Sequence, residues 1–340
     1  MAKIVCLGEI MMRLSPKDNL RFCQANSFDV VYGGGEANVC VSLSNYGHDA
    51  YFVSAVPKND IGTCAINELR KNGVNCEYVN RSGDRLGIYF LETGSSIRPS
   101  KVIYDRSGSS ISVASKEDFD FDKIFKDAKW FHFSGITCAI SKNASDIVLE
   151  ACKKAKEYNV TISCDLNYRK KLWTSEEAIK VMKPLMEYVD VCIGNEEDAK
   201  MCLGYNPEAN VEKGNTESRG YINIFERMYK DFNFKYIVST LRESFSASHN
   251  GWKALIYDGN EFYESKRYDI NPIVDRVGSG DSFSGGIIHG LLGKDNMKEA
   301  LEFAVSASAL KHTIFGDFNL VSEDEVESVT KGNISGRVQR

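Results

Sequence analysis

Residues 274–286 read VDRVGSGDSFSGG, and the run places Gly278, Ser279 and Gly280 directly before Asp281 and a stretch of small, helix-compatible residues. Glycines let backbone N–H groups converge, and a helix N-terminus adds partial positive charge, so the segment can form an anion hole. A carboxylate facing that hole suits phosphoryl transfer. The amides stabilise charge on the transferring group, and Asp281 accepts the proton of the attacking hydroxyl. Taken alone, an aspartate near a helix start is equally well explained as a stabilising cap, worth about 0.5–2 kcal/mol. A second glycine segment, Gly33-Gly34-Gly35-Glu36-Ala37-Asn38, tips the balance. It lies between the strand-like FDVVY and the helical NVCVSLSNYG, and its glycines permit close approach of a ligand to the backbone. In isolation it would read as a tight turn before a helix.

Four further positions suit a sugar acid. Alternate strand residues share a face, so Tyr104 and Arg106 in KVIYDR point the same way, and Tyr89 on the preceding strand can join them. Arg169 follows TISCDLN, near the C-terminal end of a core strand, where open α/β sheets place their ligands. Guanidinium groups suit carboxylates and tyrosines suit sugar hydroxyls. Asn195-Glu196-Glu197-Asp198 closes another strand, VDVCIGN. Its acids could organise Mg²⁺ waters, but acidic residues are favoured in any helix's first turn, and the local pattern favours that explanation.

Other chemistries lose support. Neither GxGxxG nor GxxxxGK[ST] occurs, against Rossmann dinucleotide binding and P-loop chemistry. The five histidines form no HExxH and there is no GxSxG, against a metalloprotease or serine hydrolase.

The elements that must position these residues alternate short β-branched runs with amphipathic stretches, the pattern of a mostly parallel sheet flanked by helices. Core strands are expected at 3–8, 51–56, 130–134, 161–167, 189–194 and 236–240. Helices are expected at 62–72, 143–158, 175–186, 196–203, 222–230, 280–292 and 297–313. Two regions, within 11–35 and 85–113, hold strand-like runs without an intervening helix and read as a small antiparallel β lid. Residues 326–340 read as a polar C-terminal tail, leaving 1–325 as a single α/β domain.

With a net charge of -5, the chain lacks the global basic field that nucleic-acid binding needs. Its apolar runs are far shorter than a membrane span, and MAKIVCLGEI lacks signal-peptide regions. The ten cysteines contain no CxxC pair, and Cys6, Cys164 and Cys192 sit inside apolar runs. They read as buried thiols of a cytoplasmic protein.

On these segments, residues 3–325 resemble the ribokinase (PfkB-type) carbohydrate kinases. GGGEANVCVSLSNYG with PKNDIGTCAINELRKNGV looks like the family's N-terminal signature, and DRVGSGDSFSGGIIHGL like its C-terminal one. The resemblance implies a ribokinase-like fold, ATP and Mg²⁺ as cofactors, Asp281 as the base, and Gly278, Ser279 and Gly280 around the transferring phosphate. RLGIYFLE, RPSKVIYDR and DLNYRKKLW resemble the substrate segments of the branch that phosphorylates 2-keto-3-deoxygluconate. That likeness implies sugar-acid contacts from Gly34, Tyr89, Tyr104, Arg106 and Arg169, with the arginines on the carboxylate.

TLRESFSASHNGW looks like a variant of the family's nucleotide loop, which implies Asn195, Thr240, Arg242 and Ser244 near ATP. Asp275 and Val277 match positions lining a monovalent-cation site, which leaves K⁺ use open. Two departures stand out: the family's Asn-x-x-Glu ends here in Asp198, weakening its carry-over as a Mg²⁺ ligand, and Arg242 replaces a common glycine. The family often dimerises through its lid, so a homo-oligomer is expected. A same-fold kinase for a neutral sugar such as fructose or ribose, and a catalytically silent sugar- or nucleotide-binding regulator, are the competing readings. Gluco and galacto epimers differ by one hydroxyl's orientation and are not separable here.

Overall fold

Strands that are buried on both faces must carry apolar side chains on successive residues, and β1 (Lys3–Leu7) shows the consequence. Val5 and Leu7 pack into one hydrophobic cluster, whereas Ile4 and Cys6 pack into another on the opposite face. The computed structural model describes residues 1–206, 219–334 and 336. After β1 come β2 (Met11–Pro16), β3 (Phe28–Gly33), β4 (Asp49–Val56), β5 (Val79–Arg81), β6 (Gly87–Glu92) and β7 (Lys101–Asp105). Next are β8 (Trp130–Ser134), β9 (Thr161–Asp165), β10 (Val191–Ile193) and β11 (Tyr236–Ser246). The last are β12 (His249–Tyr257), β13 (Phe262–Glu264) and β14 (Tyr268–Ile270).

Among the described residues the main sheet has ten strands in the order β13-β12-β11-β10-β9-β8-β1-β4-β5, with β14 also on β12. From β11 to β5 every neighbouring pair is parallel, while β12 pairs antiparallel with β11, β13 and β14. This is the ribokinase-like α/β arrangement. The chain leaves β1 toward β4 on one side and returns to β8 on the other, so the strand order reverses there. Open α/β sheets bind ligands at such a reversal, beyond the carboxyl ends of the strands.

Helices Lys142–Glu157 and Ser175–Met186 cover one face around Phe131, Phe133 and Ile162. The other face is covered by helices Gly35–Asn45, Ser279–Gly293 and Met297–Lys311, around Phe52, Ile193 and Trp252. Each fully buried aromatic or aliphatic side chain contributes about 1.5–3 kcal/mol. The last two helices touch almost backbone to backbone. A Cβ on Gly286 would lie 2.7 Å from Ala304 Cα, and one on Gly290 would lie 2.6 Å from Ala300 Cα.

The lid is a second sheet of four strands, β3-β2-β6-β7. Its two outer pairings are antiparallel, as expected, and its central pair, β2 with β6, is parallel. Both strands leave the same edge of the core, β2 after β1 and β6 after β5, which are parallel members of one sheet.

One boundary needs correction. Helix Glu323–Thr330 crosses the expected limit at 325, with Ser322 and Glu325 forming a reciprocal cap. Val326 is fully buried with Tyr46, Phe303, Ala307 and Val321, so the polar tail begins only after Thr330. Of the expected tail, residues 335 and 337–340 lie outside the described residues. The ten cysteines are free thiols, and only Cys23 and Cys64 are exposed. Among the described residues, no helix is long and apolar enough to cross a membrane.

Candidate active site

Asp281 stands in the first turn of helix Ser279–Gly293, whose opening amides have no partners within the helix itself. Gly278 caps this helix at φ +81°, a left-handed conformation that suits glycine, and a Cβ there would meet the Asp317 carbonyl oxygen at 2.0 Å. Beside Gly280 the space is open: an added Cβ would meet nothing within 4 Å. Ser279 is buried, its hydroxyl donating to the Arg276 carbonyl at 2.9 Å. The segment therefore presents backbone and one carboxylate to the cleft, as phosphoryl transfer requires.

Across the cleft, the glycine run 33–35 delivers Asn38. Its Nδ2 donates to Asp281 Oδ2 at 2.6 Å, and its Oδ1 accepts from the Gly34 amide at 3.2 Å. Gly34 has no room for a side chain, since a Cβ would lie 1.9 Å from the Glu9 carbonyl oxygen. Glu36 is buried and accepts from the Ser134 amide, the Ser134 hydroxyl and the Thr137 hydroxyl at 2.9, 2.7 and 2.6 Å. Burial pushes the Asp281 carboxyl up to about 7; the Asn38 hydrogen bond opposes the shift, while Glu36 and Asp317 add to it.

These groups line a cleft of about 720 Å³ at the sheet's carboxyl edge, roofed by the lid. Gly34, Tyr89, Tyr104, Arg106, Arg169, Asn195, Asp198, Thr240, Arg242, Val277 and Gly278–Asp281 all line it. Ser244 and Asp275 do not.

Several expected roles change in detail. The Arg106 guanidinium is paired with Glu9, and both side chains are nearly buried. That pairing still leaves Arg106 Nε and Glu9 Oε1 without protein partners, two buried polar atoms positioned to meet a ligand. The Tyr89 hydroxyl donates to Asp317 Oδ2 at 2.5 Å, and its ring stands 6.0 Å from that of Tyr104, which is exposed. Arg169 is exposed, its guanidinium bonds the Tyr168 carbonyl, and among the described residues it makes no salt bridge, although its charge acts on Asp165, Asp198 and Asp281.

On the opposite side, Thr240 and Arg242 lie on β11, and the Arg242 guanidinium stacks over Trp252 at 5.0 Å. Asn195 and Asp198 form a reciprocal helix cap, with bonds of 2.9 and 3.0 Å. The other Asp198 oxygen accepts from the Tyr168 amide at 2.8 Å. Both Asp198 oxygens thus carry protein donors, and Glu197 is an exposed acid at this rim.

Of the two positions matched to a monovalent-cation site, Asp275 has its carboxylate occupied by protein partners. Asp275 Oδ2 lies 2.7 Å from Arg13 Nη2 and accepts from the Gly316 amide at 3.2 Å, while Oδ1 accepts from the Val277 amide at 3.0 Å. This donor set does not fit a metal ion that would need the same oxygens.

The model of the pfkB family carbohydrate kinases matches residues 1–222 and 247–321. The chain belongs to that family. It is a carbohydrate kinase, and its relatives include a crystal structure of 2-dehydro-3-deoxygluconokinase from Thermotoga maritima, 51% identical, with a TM-score of 0.94 over 98% of this chain and 100% of that one. A 2-dehydro-3-deoxygalactonokinase of Haloferax volcanii is 33% identical over 98% of both chains. A 2-dehydro-3-deoxygluconokinase of Thermoproteus tenax is 26% identical over 97% of this chain and 95% of its own.

Within this carbohydrate kinase, sequence reasoning assigned no role to Glu9, Arg13, Asn167 or Asp317, and quoted Glu36 and Asn38 only as parts of a glycine motif. Asn167 lines the cleft at φ +39°, a conformation asparagine tolerates better than most residues, but in the sequence it reads only as the last residue of the core strand 161–167. Glu9, just past β1, and Arg13, within β2, resemble ordinary charges until their partners are seen.

Proposed function

We propose that this kinase transfers the γ-phosphoryl group of ATP to the terminal hydroxyl of a 2-keto-3-deoxy sugar acid, with 2-keto-3-deoxygluconate as the preferred substrate. The observation that carries this reading is Asp281, held by Asn38 at the mouth of the glycine-lined helix terminus, with the unpaired cation of Arg169 in the same cleft. Asp281 accepts the hydroxyl proton as the oxygen attacks, and the amides of Gly278–Asp281 stabilise charge on the transferring group. Arg169 takes the sugar carboxylate. Arg106 contributes its remaining Nε, and Glu9 accepts from a sugar hydroxyl through its free oxygen. Thr240 and Arg242 face the nucleotide, and Ser244, outside the lining, is left without a contact role. Bound with ATP, Mg²⁺ would neutralise phosphate charge. Glu197 fits its water shell better than Asp198, whose oxygens are bonded. The relatives that share this chain's full length and act on keto-deoxy acids support the substrate class.

We also infer a homo-oligomer formed through the lid, because Phe28 and Val30 on one edge strand and Ile103 and Tyr104 on the other are exposed. Ultracentrifugation finding only monomer would remove this inference. The buried free thiols support a reducing cytosol as the site of action.

The substrate assignment is tested by ADP release with Mg²⁺ and ATP across 2-keto-3-deoxygluconate, its galacto epimer, fructose, ribose and adenosine. Selective turnover of the keto-deoxy acids supports the arginine role. Preference for a neutral sugar would retain Asp281 and discard the carboxylate pocket.

A further inference from the structure

We propose that Arg13 is a built-in cation that organises the anion-hole loop of this kinase, in the place of a monovalent metal ion. The inference rests on phosphoryl transfer at Asp281 and not on which sugar is used.

Arg13 projects from lid strand β2 and has no solvent exposure. Nη2 lies 2.7 Å from Asp275 Oδ2, Nη1 donates to Asp317 Oδ1 at 2.9 Å, and Nε donates to Ser15 Oγ at 2.9 Å. Burial opposes its charge, but the adjacent Asp275 and Asp317 carboxylates outweigh that and keep it protonated. Its two partners are the acids of the two loops that meet at Gly278. Asp275 orients the Val277 amide on one side, and the Asp317 carbonyl lies against Gly278 on the other. A shift of either loop would therefore move Gly278 and the first amides of the catalytic helix.

A second protein cation completes the arrangement. Lys311 Nζ donates to the Ile314 carbonyl at 3.0 Å, occupying a backbone oxygen of the same loop. An alkali ion is held by a cage of carbonyl and carboxylate oxygens that replaces its hydration shell. Here the Asp275 carboxylate and the Ile314 carbonyl are already engaged by Arg13, Lys311 and backbone amides. Two buried bases, Arg13 and Lys311, thus supply positive charge beside the buried acids Asp275 and Asp317. Tyr89 adds a second lid strand to the same acid through its bond to Asp317. Arg13 is a positioning residue: it acts through the loops and touches neither phosphate nor sugar.

The test compares the wild-type chain with Arg13→Gln and Arg13→Lys in buffers whose cation is tetramethylammonium, Na⁺ or K⁺. Turnover with any accepted sugar and the thermal unfolding midpoint are both read. The wild-type kcat and midpoint are expected to be the same in all three buffers. Arg13→Gln should lose about 10–100-fold in kcat, as loss of an orienting partner does at comparable sites, with both KM values changed less. In that variant K⁺ should recover part of the kcat and raise the midpoint, and Arg13→Lys should retain more activity than Arg13→Gln. K⁺-specific activation of the wild type would overturn the proposal, and so would an undiminished kcat in Arg13→Gln. Loss of kcat with no cation response in kcat or midpoint would reduce Arg13 to a structural ion pair, which also overturns it. If Arg13→Gln does not fold, the wild-type cation series decides.

Discussion

Asn38 Nδ2 lies 2.6 Å from Asp281 Oδ2, joining two glycine segments that are 243 positions apart. A hydrogen bond donated to a carboxylate favours its charged form. Asn38→Ala should therefore raise the Asp281 pKa further, moving the acid limb of the kcat/KM profile upward by about one pH unit. An unmoved limb would mean that the bond is not made in the working enzyme.

Asp281 should show its unusual environment in rate and stability alike. Its carboxyl, pushed by burial to about 7, must be ionised to act as base, so kcat/KM should rise with pH through that value. Asp281→Asn should cut kcat by about 10²–10⁴-fold while ATP binding persists.

The stability effect has a definite sign. Because folding raises this carboxyl, the ionised group penalises the folded state. That penalty is absent below the unfolded value of about 4, grows as pH rises toward 7, and is complete above it. The melting temperature of Asp281→Asn should gain on that of the wild type across this window. A constant difference from pH 4 to 8 would contradict the assigned shift.

Arg169 and Arg106 should separate cleanly. Arg169 is exposed and unpaired, so Arg169→Ala should leave stability within about 0.5 kcal/mol and raise the sugar-acid KM by roughly 10–100-fold. Arg106 is buried against Glu9, so Arg106→Ala strands a carboxylate and should cost about 3–5 kcal/mol in urea denaturation. Equal stability losses in the two variants would refute the distinction.

Gly290 meets Ala300 at backbone distance between the two C-terminal helices. Gly290→Val should destabilise by at least about 1–3 kcal/mol through overpacking, and it should lower kcat because Asp281 rides on the same helix. Retention of both stability and activity would show that the helices separate freely.

Much of the scaffold was legible in the sequence. The parallel strands and long helices follow from period and caps: Thr174 with Glu177, and Asn195 with Asp198, close reciprocal caps where the sequence begins its helices. The antiparallel extension β12–β14 was missed. Asn250-Gly251, a pair that normally marks a hairpin turn, lies inside β12 opposite Ile270 and Asp269, and the reversal falls instead at Ser246–His249. The terminal helix was missed because its exposed residues are nearly all polar, and only Val326 is buried.

By itself the sequence determined the chemical groups available, the order of the elements that carry them, and the two glycine segments where a backbone can approach a phosphate. These are local properties, set by residue type and periodicity. Tertiary structure alone decided which charges are free to act. Arg106 meets Glu9 across 97 positions and Arg13 meets Asp317 across 304, so neither pairing leaves a trace in local pattern. Asp198 spends its carboxylate on backbone amides, whereas Arg169 keeps its cation for a ligand. The ionisation of Asp281 likewise depends on burial and on Asn38, Glu36 and Asp317. Electrostatic energy depends on distance and solvent access, and only the folded chain sets either.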